Sequence, residues 1–376
     1  MRDHHFDYLV IGAGIMGLST AWSLVNRMSG RIAVLDAYTV GHTRGSSQGA
    51  VRIARSTYAD PGYVQLMVRA RQESWPRLES QLGRALITPS PAIFFGPSDG
   101  LIQSYSHGTQ SLGDTVERLT DAQIRAVCPH IKNPSHTVVC DRTAGIIHAQ
   151  AVRDGLYALL SAESQVRWFE STRVIGLEST PSRVRVVSDR GGFSAQKVVL
   201  TGGPWTAQLV PELTARLMVH RQDIAYLYGT DERGECPVPF PWVYLGRDTH
   251  DVFYGLPEDR RHMKIARHRR SGPLADPDDT PTTDHVALDA VMRFAQREFE
   301  VDLALGWTST CPYTSTATDD FILSCHPDEE RLIVGAGFSG HGFKFGPLIG
   351  DILADLAEKG HCSLSEFKSM KAQLSL

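Results

Sequence analysis

The sequence predicts a mixed α/β chain: a Rossmann-like nucleotide-binding domain with an inserted antiparallel-sheet domain. Three observations predict it. The chain opens on a strand, a glycine turn and a helix, "FDYLVIGAGIMGLSTAWSLVN", from Phe6 to Asn26. It closes on the same order, in "RLIVGAGFSGHGFKFGPLIGDILADLAEKG". Between the two lie many short strand-like runs. A contiguous N-terminal nucleotide domain would not need a second such unit at the far end. The expected nucleotide-binding domain is therefore discontinuous, built from residues 1–85, 148–215 and 318–376. Residues 86–147 and 216–317 form the inserted substrate domain.

Each element has a physical basis. "YLVIG" is almost wholly apolar, as a strand buried on both faces should be. Gly12, Gly14 and Gly17 then give G-x-G-x-x-G. In that pattern the first glycine permits the tight turn, the second admits a pyrophosphate, and the third lets the helix pack closely on the sheet. The helix presents its N-terminal N–H groups and positive dipole end to the phosphates. "RIAVLDA" is a second strand ending in Asp36, whose carboxylate can accept from ribose hydroxyls. An acid there fits FAD or NAD and disfavours NADP, and the fingerprint alone does not separate the first two. The bland alternative is a tight turn that binds nothing.

A Gly/Ser-rich loop follows, "YTVGHTRGSSQGAVRIARSTYADPGY", suited to lie against a planar ring or phosphate. Tyr63 to Gly83 has helical periodicity. "LITPSPAIFFGPSDG" reads as strand and turn, and "SLGDTVERLTDAQIRAVCPH" as helix, with Ser111 or Asp114 as cap. Thr137 to Ile147 reads as strands and Gln150 to Ser164 as an amphipathic helix. "VRWFESTRVIGLEST", "RVRVVSD" and "AQKVVLTGGPW" read as strands, the last running into paired glycines that admit a close backbone approach. Leu217 to Thr249 is strand-like and "HDVFYGLPE" is strand and turn. "RRHMKIARHRR" is basic, and the later part of "DTPTTDHVALDAVMRFAQREFE" is helical. "LALGWTSTCPYTSTATDDFILS" alternates before another apolar strand.

Bulk properties narrow the function. A net charge of −4 on 376 residues gives no electrostatic reason for nucleic acid or an anionic membrane as partner. No apolar run is long enough for a transmembrane helix, and no signal-peptide core precedes the first strand. A cytoplasmic enzyme is the expectation. The six cysteines are scattered without a CxxC pair, which indicates neither a zinc ribbon nor a disulfide scaffold. Neither a metal site nor a Ser–His–Asp nucleophile has convincing spacing.

Three stretches together resemble one family, the monomeric sarcosine oxidase and N-methyltryptophan oxidase group of covalent flavoproteins. They are "GSSQGAVRIARSTYAD", "CPYTSTATDDFIL" and "GAGFSGHGFKFGPLIGDILADL". With the N-terminal fingerprint the resemblance spans essentially the whole chain. It implies FAD, oxidation of the secondary amine of a small amino acid, O2 as acceptor, hydrogen peroxide as by-product, and a monomer. Cys311 matches the cysteine that carries the flavin through a thioether. Arg55 and Lys344 match the anchors of the substrate carboxylate. Arg52 matches an arginine beside the flavin, and Lys264 the lysine that activates oxygen. Tyr254 and His268 match residues lining the substrate cavity. Ser46, Ser47, Val174, Gly337, Gly340 and Gly342 join Gly12, Gly14, Gly17 and Asp36 as expected cofactor contacts.

Each residue also has a plainer reading. A buried free cysteine is most often a small hydrophobe. Arg52 and Arg55 would otherwise belong to a solvated face, and Lys344 to a helix start whose dipole disfavours it. His268, flanked by Arg267, Arg269 and Arg270, reads equally as part of a basic surface loop. Trp242 reads first as core and second as a wall for a cyclic amine. The chain departs from the family pattern at Pro312, where Leu or Met is common, and at Gln48, where a histidine is usual. Ala50 and Val51 also replace a more polar pair. Sarcosine, another N-methyl amino acid or a cyclic imino acid such as pipecolate all fit. Rival readings are an amine dehydrogenase with another electron acceptor, a non-catalytic FAD-binding protein and an NAD-dependent dehydrogenase.

Overall fold

The computed structural model describes residues 4–133, 135–230, 235–268, 273–274, 276–279, 282–370 and 373–376. Five parallel strands form the spine of the first sheet, in the order Val166–Phe169, Ile32–Leu35, His4–Ile11, Gly191–Leu200 and Leu332–Ala336. Leu9, Val10, Val34, Val199 and Ile333 are buried on it, as strands covered on both faces require. Antiparallel strands Val174–Ser179, Val184–Ser188 and Ile322–Cys325 complete eight. The two glycine-turn units predicted at the chain's ends thus share one sheet.

Their helices, Ile15–Val25 and Gly346–Lys359, pack against each other over a common core. Asp351 ties them together inside it. Its carboxylate accepts from Ser23 Oγ (2.7 Å) and Ser74 Oγ (2.9 Å) and pairs with Arg27 and Arg77.

A second eight-stranded sheet draws on the middle of the chain. Its order is Leu303–Ser315, Met218–Gly229, His262–Arg267, Val252–Pro257, Trp242–Leu245, Ala92–Pro97, His136–Asp141 and Val116–Arg118. All pairings are antiparallel except that of Trp242–Leu245 with Ala92–Pro97. Helix His285–Glu298 covers one face, where Phe294 stacks on Phe253 with centroids 3.9 Å apart. Trp242 is fully buried there against Phe294 and Phe299, so its plainer reading as core is the structural one. The opposite face carries Ile224, Tyr226, Tyr254, Cys311 and Tyr313. A small sheet of Val51–Ala54, Gly145–His148 and Ile87–Pro89 bridges the two large ones.

Two local expectations change. The stretch from Ser111 is not one helix: a 3₁₀ turn, Gln110–Thr115, gives way to strand Val116–Arg118, and helix Asp121–Val127 starts afresh. Its cap is Thr120, which forms a reciprocal capping box with Gln123, in place of Ser111 or Asp114. The helix from Tyr63 widens to a π-turn at Ala70–Ser74 just before Pro76, whose missing N–H cannot serve an ordinary helical ladder. The basic stretch around Lys264 forms strand His262–Arg267, and His268 follows its end; Arg269 and Arg270 lie outside the described residues. No helix among the described residues is long and apolar enough to cross a membrane.

Candidate active site

A cavity of about 970 Å³ runs between the two large sheets, at the upper end of the small-molecule range. It begins at the first glycine turn. Gly12 has φ +96°, and a Cβ on it would stand 2.5 Å from Thr201 O, so only glycine serves there. Gly14 lines the cavity and Gly17 does not. A Cβ at Gly17 would collide with Gly12 O, in keeping with the close-packing role read from the fingerprint. Asp36 closes this end. Its carboxylate accepts from Ala13 N–H (2.7 Å) and Tyr38 N–H (2.9 Å), which fixes the turn as well as facing the cavity. Val174, Gly337, Gly340 and Gly342 line the cavity as well.

The Gly/Ser loop runs along the cavity and is stitched to the Cys311 strand. Ser47 Oγ accepts from Ile15 N–H (3.0 Å) at the helix N-terminus. Ser46 Oγ donates to Pro312 O (2.6 Å) and Gln48 Nε2 to Thr310 O (2.6 Å). These two bonds flank Cys311, so the departure at Gln48 still serves the cysteine's position. Arg52 folds back on its own loop, donating to Val51 O (2.9 Å), Ser46 O (3.1 Å) and Gln48 O.

Cys311 and Lys264 reach the cavity by strand alternation. In His262–Arg267, Met263 and Ile265 enter the core behind the sheet, while Lys264 and Ala266 face forward. Lys264 is 4% exposed, and burial with the Arg52 charge brings its ammonium down to about 8, opposed by Glu258 and Cys311. Burial pushes the Cys311 thiol up, while Arg52 and Lys264 pull it down. Glu258 is raised by burial, and its Oε2 is buried with no hydrogen-bond partner.

A second cationic group surrounds Tyr58. Arg55 lies over its ring at 4.0 Å. Lys344 Nζ donates to Tyr58 Oη (3.0 Å) and to His341 O (2.8 Å). Tyr58 in turn hydrogen-bonds His341 Nδ1 (3.3 Å), whose Nε2–H donates to Asp319 O (2.9 Å). Burial and the Lys344 charge hold His341 well below its ordinary value, so it is neutral and accepts at Nδ1. Burial and Arg55 lower Lys344 as well. Neither Arg55 nor Lys344 has a carboxylate partner among the described residues. Tyr254 Oη meets Tyr313 Oη at 3.1 Å, and His268 lies edge-on to Tyr254. All the expected site residues except Gly17 therefore line one cavity.

Sequence reasoning missed Tyr58, Tyr313, His341, Glu258 and Asp141. The last accepts from Ser56 and Thr57, just after Arg55, and so holds that arginine's loop. Among the described residues no cluster of His, Cys, Asp and Glu is arranged to hold a metal.

The cavity fits FAD. Its glycine turn is held in a conformation that only glycine adopts, the Asp36 carboxylate lines the same end, and the cavity runs on from there to Cys311. A nucleotide cradle continuous with buried cations defines a nucleotide-dependent oxidoreductase. The chain belongs to the FAD dependent oxidoreductase (DAO) family, whose model matches residues 7–356. It is 31% identical to the peroxisomal sarcosine oxidase of Homo sapiens over 375 residues, covering 94% of this chain and 92% of that one. It is 27% identical to the monomeric sarcosine oxidase of Bacillus sp. (strain B-0618), covering 95% and 93%. The solved open form of NikD, an unusual amino acid oxidase essential for nikkomycin biosynthesis, superposes with a TM-score of 0.85. That likeness has 26% identity and covers 99% of this chain and 97% of NikD.

Proposed function

We propose that this flavoenzyme oxidises the secondary amine of a small amino acid, N-methylated or cyclic, to an imine, with O2 reduced to H2O2. The observation that carries the reading is the pair of a half-buried Arg55 and a buried Lys344, grouped around Tyr58 without a carboxylate partner among the described residues. A substrate carboxylate supplies the missing anion, and the relatives named as sarcosine oxidases act on an N-methyl amino acid. The proposed covalent attachment is through Cys311. We further propose a monomer in the cytoplasm; the Bacillus relative's name supports the first. The discontinuous domain boundaries given above belong to the same proposal.

FAD, when bound, supplies the acceptor for the two electrons and hydrogen leaving the carbon next to nitrogen. The protein's part is positioning and charge. Arg55 and Lys344 hold the carboxylate, and Tyr254, Tyr313 and His268 wall the amine. The surrounding cations disfavour a protonated amine, which leaves the nitrogen lone pair free to assist bond cleavage. Lys264 places a fixed charge where dioxygen takes up electrons, stabilising the anion that forms.

The test is anaerobic flavin bleaching with N-methyl amino acids, cyclic imino acids and their carboxylate-free analogues. Bleaching by the acids alone, then peroxide on admitting air, is the expected result. Reoxidation only by an added acceptor would establish a dehydrogenase instead, and no bleaching with any amine a non-catalytic FAD binder. Acid denaturation should leave the yellow colour on the polypeptide, and Cys311→Ser should release it.

A further inference from the structure

Arg153, on helix Ala149–Ser161, is 9% exposed and lines the cavity. Its Nε is buried without a hydrogen-bond partner, and no hydrogen bond or ion pair joins its side chain to any described residue. An arginine cannot shed its charge as a lysine does. Burial and the Arg52 guanidinium both act against that charge, and Asp154, which favours it, sits exposed beside it in sequence and makes no ion pair with it. An uncompensated buried cation is strongly destabilising, so this one calls for an anion brought by a ligand.

Its place in the fold says which anion. Gln150, three residues earlier, donates its N–H to Ala50 O (3.4 Å), so the helix's first turn rests on the Gly/Ser loop. The same loop sets Ser47 against Ile15 N–H, at the start of an eleven-residue helix. Arg153, Ser46, Ser47 and Ala13 to Met16 all line the one cavity. A positive helix end, the Ser47 hydroxyl, whose proton is uncommitted, and a guanidinium with unused donors make a site for phosphate oxygens. Arg55 and Lys344, by contrast, are grouped around Tyr58.

We propose that Arg153 grips the diphosphate of FAD, adding a cation that the glycine fingerprint does not include. The inference rests on FAD binding and is independent of the substrate reading.

The test uses Cys311→Ser holoenzyme, in which bound FAD exchanges, with and without Arg153→Met. FAD retention on dilution is followed by flavin fluorescence. Displacement by ADP, which has the diphosphate and no flavin ring, is compared with displacement by riboflavin, which has the ring and no phosphate. Losing a charge-assisted bond should weaken FAD and ADP alike by about 10- to 100-fold and leave the riboflavin inhibition constant unchanged. Arg153→Lys, which keeps the charge and loses the fork, should fall between, and covers the case of a methionine variant that does not fold. Unchanged FAD retention would overturn the proposal. An equal loss of riboflavin would also overturn it, by pointing to a structural role. So would a raised substrate KM with normal FAD binding, which would make Arg153 a second substrate anchor.

Discussion

Replacing Lys264 with Met should make the protein more stable and less reactive with oxygen. Burial and Arg52 lower the Lys264 ammonium from 10.5 to about 8 in the folded chain. The folded amine therefore gives up its proton near pH 8 and the unfolded one near pH 10.5. Between those values the unfolded chain binds more protons, so wild-type stability rises with pH across that window and the full penalty stands below it. A shift of this size makes burying the lysine cost about 3 kcal/mol at pH 7, where it is charged, and about 1.5 kcal/mol at pH 9.5, where the folded amine has given up a proton the unfolded chain keeps. Methionine, of similar length, removes the charge and fills the space. Urea unfolding of both proteins at pH 7 and at pH 9.5 should show the variant ahead, by a margin that halves at the higher pH. Stopped-flow mixing of the reduced enzyme with O2 should show a loss of about 100- to 1000-fold, the usual effect of removing a preorganised charge stabiliser. Anaerobic reduction by substrate should change far less. A variant less stable than wild type at pH 7, or one that reacts with O2 at the wild-type rate, would refute the reasoning.

Other substitutions test the remaining parts of the site. Arg55→Met and Lys344→Met each delete a charged hydrogen-bond donor to the substrate carboxylate, so kcat/KM should fall by about 1.5–3 kcal/mol in each. A carboxylate-free amine should lose nothing, and steady-state kinetics with both substrates checks this. Asp141→Asn replaces one oxygen of a buried carboxylate that accepts from Ser56, Thr57 and Thr143 with an N–H donor. Urea unfolding should show a loss of about 1–3 kcal/mol; substrate KM should rise through the loosened Arg55 loop. Gln48→Ala removes the bond to Thr310 O beside Cys311. It should slow covalent attachment, read as the fraction of flavin released by acid at fixed times after FAD is added, while leaving noncovalent FAD binding intact.

What could be read from the sequence was whatever is local along the chain. The glycine turn, Asp36 and the strand that follows lie within about thirty residues, and both ends of the chain repeat the pattern. Cys311, Arg55 and Lys344 came from resemblance, and the structure brings them to one cavity by pairing strands far apart in sequence. Lys264 came from the same resemblance, since by itself "RRHMKIARHRR" reads only as basic. Only the alternation of a strand packed on both faces sends Met263 and Lys264 to opposite sides. Glu258 looked like a turn residue, and Tyr58, Tyr313 and His341 had no local pattern to mark them. Arg153 shows the limit most clearly. Periodicity assigns it to the polar edge of an amphipathic helix, as it does Arg69. Yet Arg69 is partly exposed and pairs with Glu73 and Glu366, whereas Arg153 is buried and pairs with no described residue. Sequence supplies the charge on each, and only packing decides whether a partner arrives with it. An arginine whose partner does not arrive from the fold has to obtain one from what the fold binds, which makes the unpaired cation a more specific pointer to a ligand than the motif beside it.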